Sequence, residues 1–145
     1  MLLNFHFNSR TIMTSPATTR TAAPTQLGIP LFDEAHQALA DQIEQLLDGP
    51  EAEFGPGLQA LTECLEEDFR VEEELMAAIS YPSMPAHRAQ HARALSMLHG
   101  LNPSDRDACR AAVLQLLAWF HTHLATADTA LTLMLQSIAK KLPAT

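Results

Sequence analysis

Residues 66–76 read EEDFRVEEELM. The composition predicts a helix, yet the positions that should form its buried face include Asp68 and Glu72. Extended in both directions, the stripe Leu58, Leu61, Leu65, Asp68, Glu72, Leu75 with Met76, and Ile79 advances in steps of three and four, so both carboxylates fall on the core side. A buried carboxylate without a partner costs several kcal/mol. Positive charge must therefore meet this face, and the rest of the chain has to explain where it comes from.

The flanking segments are helical by the same periodicity. Pro30 and Asp33 open a first helix, on which Phe32, His36, Leu39, Ile43 and Leu46 share a face until Gly49 and Pro50 stop it. Residues 51–57, EAEFGPG, read as the turn before a second helix over about 58–79, which the prolines of SYPSMP end. A third helix starts near Met84 or Pro85 and ends near Gly100. Ser104 is the expected N-cap, with Asp107 three residues on, of a long fourth helix carrying ACRAAVLQLLAWFHTHLA. The segment TALTLMLQSIAKK reads as a last, short helix. Four long helices with short connections, no alternating strand pattern and no internal repeat predict an all-α, antiparallel up-down four-helix bundle with a short extra C-terminal helix.

The chain of 145 residues has the size of one domain. Residues 1–26 hold Arg10, Arg20 and many Ser and Thr but no acidic residue, and are expected to form a flexible tail, a transit peptide or an upstream start ahead of Met13 being the alternatives; the helical domain is assigned to 27–145. A net charge of −8 and the lack of a basic patch argue against nucleic acid and anionic membrane surfaces as partners. No apolar run approaches the roughly 20 residues of a membrane span. Cys64 and Cys109 suggest neither a disulfide framework nor a zinc ribbon, which fits a cytoplasmic protein, and no protein partner is evident.

On the third helix the inward row is Met84, His87, His91, Ala94 and Leu98, with two imidazoles one turn apart. No Lys or Arg lies on these inward rows, so a metal ion is the economical source of positive charge, and a bundle core is where facing helices build such sites. His with Asp and Glu suits iron, manganese or zinc rather than a soft, thiolate-seeking metal. On the fourth helix, periodicity leaves His121 and His123 as alternatives.

The segments GIPLFDEAHQAL, DFRVEEELM, YPSMPAHRAQHARAL and WFHTHLATADTAL together resemble the bacterial hemerythrin family. Its pattern is a His on the first helix, H-F-x-x-E-E on the second, H-x-x-x-H on the third and W-x-x-x-H-x-x-x-x-D at the end of the fourth. Trp119, His123 and Asp128 stand at that last spacing, and His121 does not. The resemblance implies a non-haem site of two iron ions, bridged by Glu72, Asp128 and an oxo or hydroxo group. One iron would take His87, His91 and His123, and the other His36 and a second-helix histidine. Phe120 would line the pocket of a dioxygen or other diatomic ligand.

Asp68 stands where the family has that second-helix histidine. Three outcomes are open: Asp68 ligates in its place; it is too short, leaving the second metal loose or absent; or Cys64 or Glu67 changes the metal preference, with manganese or zinc as alternatives to iron. A carboxylate in place of a neutral imidazole favours the ferric state and should weaken reversible oxygen carriage. The expected function is oxygen or diatomic-gas binding rather than catalysis. An oxidase- or peroxidase-like di-metal protein, or a bundle with a structural metal only, is the alternative.

Overall fold

The computed structural model describes residues 28–143, so the tail expected over residues 1–26 lies outside the described residues. Helix α1 spans Pro30–Asp48, α2 Glu51–Ala78, α3 Met84–His99, α4 Arg106–His123 and α5 Thr129–Lys141. No strand occurs among the described residues. Helix α1 packs against α2 and α4, and α3 packs against the same two, closing the four-helix ring.

The first connection differs from the sequence expectation. Residues 51–57 are the first turns of α2 and not a loop, and the chain reverses over Gly49 and Pro50 alone. Pro56 is the sixth residue of the helix, past the first turn, and with no N–H it leaves the Ala52 carbonyl without its i→i+4 donor. The two glycines beside it serve close packing. A Cβ on Gly57 would come within 2.8 Å of Leu46 Cδ1, and one on Gly55 within 3.1 Å of the Arg106 guanidinium. Between them and the helix start, the Phe54 ring is buried beneath Arg106 and Arg110.

Two further details correct the reading. The N-cap of α4 is Asp105, whose side chain accepts from the Ala108 N–H at 3.0 Å, and not Ser104. Its carboxylate satisfies one of the helix's orphan donors. The closing helix α5 is also not set off by a loop: residues 124–128 form a π-helical turn, and the backbone stays helical from α4 into α5.

The core is divided into two apolar clusters. The larger holds Leu39, Ile43, Leu61, Leu65, Phe69, Ala94, Leu116 and Phe120 among others; the smaller consists of Phe32, Met76, Tyr81 and Leu131, with Met84 packed against it. Each helix crosses from one to the other through polar residues: Phe32 to Leu39 through His36, Phe69 to Met76 through Glu72, Met84 to Ala94 through His87 and His91, and Phe120 to Leu131 through His123 and Asp128. A buried polar layer thus lies across the bundle, sealed by hydrocarbon above and below.

Candidate metal centre

Five side chains from three helices and the π turn, Glu72, His87, His91, His123 and Asp128, bring ligand atoms within 4.8 Å of one another, and all five are buried. His87 Nε2 is 3.3 Å from Glu72 Oε2 and 3.1 Å from Asp128 Oδ1. His91 Nε2 is 3.3 Å from the same Glu72 oxygen, and His123 Nε2 is 3.1 Å from the same Asp128 oxygen. The His91 and His123 Nε2 atoms are themselves 3.2 Å apart. A metal ion about 2.1–2.2 Å from two ligands at right angles separates them by about 3.1 Å, so these spacings suit the edges of one coordination polyhedron. His87 Nε2, Glu72 Oε2 and Asp128 Oδ1 are buried without a properly aligned hydrogen bond. Close but misaligned, they aim at a shared point rather than at each other. Buried polar atoms are normally paired, which makes this arrangement a fit for a bound cation.

The other oxygens of the same two carboxylates face the opposite way. Glu72 Oε1 is 3.5 Å and Asp128 Oδ2 3.4 Å from His36 Nε2. Glu72 and Asp128 therefore straddle two half-sites, one with three imidazoles and one with His36 alone. Asp68 is half-buried on the His36 side, where it lines a cavity together with His36 and Glu72.

The ring orientations are held from outside the cluster. His123 Nδ1 lies 2.8 Å from Gln90 Oε1, and His91 Nδ1 lies 3.2 Å from Glu73 Oε1, while Arg88 Nε donates to the other Glu73 oxygen, Oε2, at 3.0 Å. An N–H donated from Nδ1 to each of these oxygens leaves the Nε2 lone pair facing inward, the tautomer a metal requires. Phe69 stacks on His91 with centroids 3.8 Å apart, and Trp119 on His123 at 4.6 Å. The π turn sets Asp128. Residues five apart on an α-helix point about 140° away from each other, whereas an i→i+5 turn stacks them. Here the Thr129 N–H bonds back to the Leu124 carbonyl, and Thr129 Oγ1 donates to that carbonyl at 2.7 Å. The wider turn brings His123 and Asp128 to the same side.

Burial works against charge at Glu72, but contacts with His36, His87 and His91 hold its carboxyl well below the usual range, and those with His123 and His87 hold Asp128 down likewise. Burial also opposes protonation of His87, yet Asp128 and Glu72 push it up to about 9. Asp68 behaves oppositely: burial, then the Glu72 charge, raise its carboxyl to about 6. The Cys64 thiol is pushed up to about 11 by burial and by Asp68. Cys64 is thus a poor thiolate at neutral pH.

The sequence-predicted residues Glu72, His87, His91, His123 and Asp128 meet in one cluster, with His36 against its carboxylates. His121 is half-exposed and outside it. Phe120 is buried with its ring 5.9 Å from that of His36, edge to face, but it does not line the cavity beside Asp68. Gln90 escapes sequence reasoning, because an amide between two inward-facing histidines has no periodicity of its own.

Residues 27–135 match the family model of the hemerythrin HHE cation binding domain. A bacteriohemerythrin from Ralstonia nicotianae (strain ATCC BAA-1114 / GMI1000) is 28% identical over 110 residues, covering 73% of this chain and 80% of that protein. No solved structure matches the chain.

Proposed function

We propose, from the premise that this chain belongs to the hemerythrin family of HHE cation-binding domains, that its cluster holds two iron ions and binds dioxygen or a related diatomic molecule. The observation that carries the reading is the pair of carboxylates, Glu72 and Asp128, each with one oxygen toward the three-histidine half and one toward His36. His87, His91 and His123 would hold one ion, His36 the other, with Asp68 as a further ligand on that side. Iron so held supplies reversible electron exchange with the diatomic ligand.

The chain's own residues prepare the site. Glu73 and Gln90 fix two imidazoles in the ligating tautomer, and Phe69 and Trp119 clamp the same rings. Phe32, Met76 and Leu131 on one side, with Phe69 and Phe120 on the other, exclude water from above and below the polar layer, which stays open on the side of the cavity beside Asp68. That exclusion strengthens every electrostatic contact inside.

Asp68 favours a second reading, an oxidase- or peroxidase-like centre, because a carboxylate beside the His36 half adds negative charge and stabilises the ferric state. Metal analysis of the purified protein, with absorption spectra before and after reduction and re-exposure to air, tests both. Two irons per chain and a spectrum that cycles with oxygen are expected for binding. Irreversible oxidation on the first exposure to air favours the second reading, and zinc alone, with no spectral change, overturns both.

A further inference from the structure

A cavity of about 380 Å³ lies between α1 and α2 and reaches the metal cluster only on its poorer side: His36 and Glu72 line it, while His87, His91 and His123 do not. Its walls are mainly hydrocarbon, from Leu31, Phe32, Ala35, Ala38 and Val71. This volume is at the lower end of sites that enclose small organic molecules, and far exceeds what a diatomic molecule fills. Among the polar groups on its walls, Asp68 is half-buried and stands apart from the histidine cluster. The Asp68 carboxylate has a Cys64 Sγ contact at 4.0 Å as its hydrogen-bonding partner among the described residues, too long to satisfy an acceptor strongly.

The lining also indicates the charge of the occupant. Glu34, Glu67, Asp68 and Glu72 border the cavity, and no Lys or Arg does. An anion would meet carboxylates throughout, and a cation would give up water for hydrocarbon walls with little in return, because Glu34 and Glu67 are exposed and Glu72 is already engaged by histidines. We infer that this cavity binds a small uncharged organic molecule of one-ring size carrying an O–H or N–H group, which donates to Asp68 while the ring packs against Phe32, Ala38 and Val71. The inference rests on the proposed function for its consequence, an organic substrate or effector beside the metal centre, but the binding step needs only the side chains named.

Calorimetric titration of the full chain tests it, with metal content measured on each sample. The probes share one ring: benzyl alcohol, benzyl methyl ether, which lacks the donor, and benzoate. Benzyl alcohol is expected to bind in the millimolar range, as suits so few atoms, several-fold tighter than the ether and at least tenfold tighter than benzoate. Ala38→Leu fills the cavity and should abolish binding with metal content unchanged. Should that variant lose helix signal, Val71→Ala carries the test: it widens the cavity and should shift preference toward 2-naphthylmethanol. Benzoate binding as tightly as the alcohol, or affinities unmoved by either cavity variant, would overturn the inference. Benzyl alcohol bound as tightly by chelator-stripped protein as by the metal-loaded protein would support it and show that the cavity works without the metal, whereas two irons per chain are tested by the metal analysis alone.

Discussion

Asp68 and Glu72 share one face of α2, yet their environments separate them. Glu72 is held ionised by three histidines, whereas Asp68 is raised to about 6 by burial and by the Glu72 charge. Asp68 is the residue where this chain leaves the family pattern, and the cavity that it lines has room for an imidazole. Asp68→His should therefore add a neutral ligand to the His36 side and remove one negative charge. The reduced, iron-loaded variant is expected to survive exposure to air several-fold longer than the parent, followed by its absorption spectrum. Equal lifetimes would show that Asp68 does not set the redox behaviour. The residues behind the ligands make a second prediction. Glu73→Ala and Gln90→Ala each free a ring that ought to present Nε2, and loss of such a partner typically lowers metal affinity about 10–100-fold. His121→Ala, which touches no member of the cluster, should leave affinity unchanged, while His123→Ala should lower metal content. Competition with a chromophoric chelator measures all four.

At the scale of elements, the π turn is the most demanding piece of local structure. It places Asp128 opposite His36 and beside His123 through one extra residue, and the Thr129 hydroxyl on the Leu124 carbonyl helps to hold the widened turn. Inserting one alanine after Ala125 adds about 100° of helical rotation before Asp128 and should turn it out of the layer. Far-UV circular dichroism should keep its helical intensity while metal content falls by half or more. Full metal occupancy in the insertion variant would mean that the placement of Asp128 by the turn is dispensable. Nothing in LATAD announces such a turn, because an i→i+5 bond has no residue preference as sharp as a glycine's at a helix end. The four long helices were legible because an apolar stripe repeating every three to four residues has few other solutions. EAEFGPG misled for a physical reason: Gly and Pro also mark a reversal, and only the contacts of Gly55 and Gly57 with Arg106 and Leu46 show that they make room for packing. The inward histidines and acids were legible as interruptions of those stripes. Choosing His123 over His121 needed the family spacing, since a helix face about 100° wide admits both.

For the whole molecule, a polar layer between two apolar clusters makes the fold depend on what neutralises that layer, and the metal-free protein should show it in its pH dependence. His87 is raised from 6.5 to about 9, so its contribution to stability is complete below about 6.5 and is lost as pH rises through about 9. Glu72 and Asp128 are held below 4.5 and 3.8, so their contribution is present above those values and is lost as pH falls through the depressed ones. Asp68, raised from 3.8 to about 6, weakens the fold as it ionises over that interval. Together these shifts place maximal stability of the stripped protein in mild acid, near pH 5. Metal binding has the opposite dependence, because His87 must shed its proton before its Nε2 can ligate. The difference in melting temperature between loaded and chelator-stripped protein should therefore widen from pH 5 to pH 8. With free metal at about 1,000 times its dissociation constant, the gain is about 4 kcal/mol, or roughly 15 °C for a domain of this size. At pH 5 protons compete for the same nitrogens, and the gap should shrink to a few degrees. Melting curves at pH 5, 6.5 and 8, with metal content verified at each, decide the matter. A gap that stays constant across that range would mean that the metal does not displace protons from His87, and that the cluster in the buried layer is not where it binds.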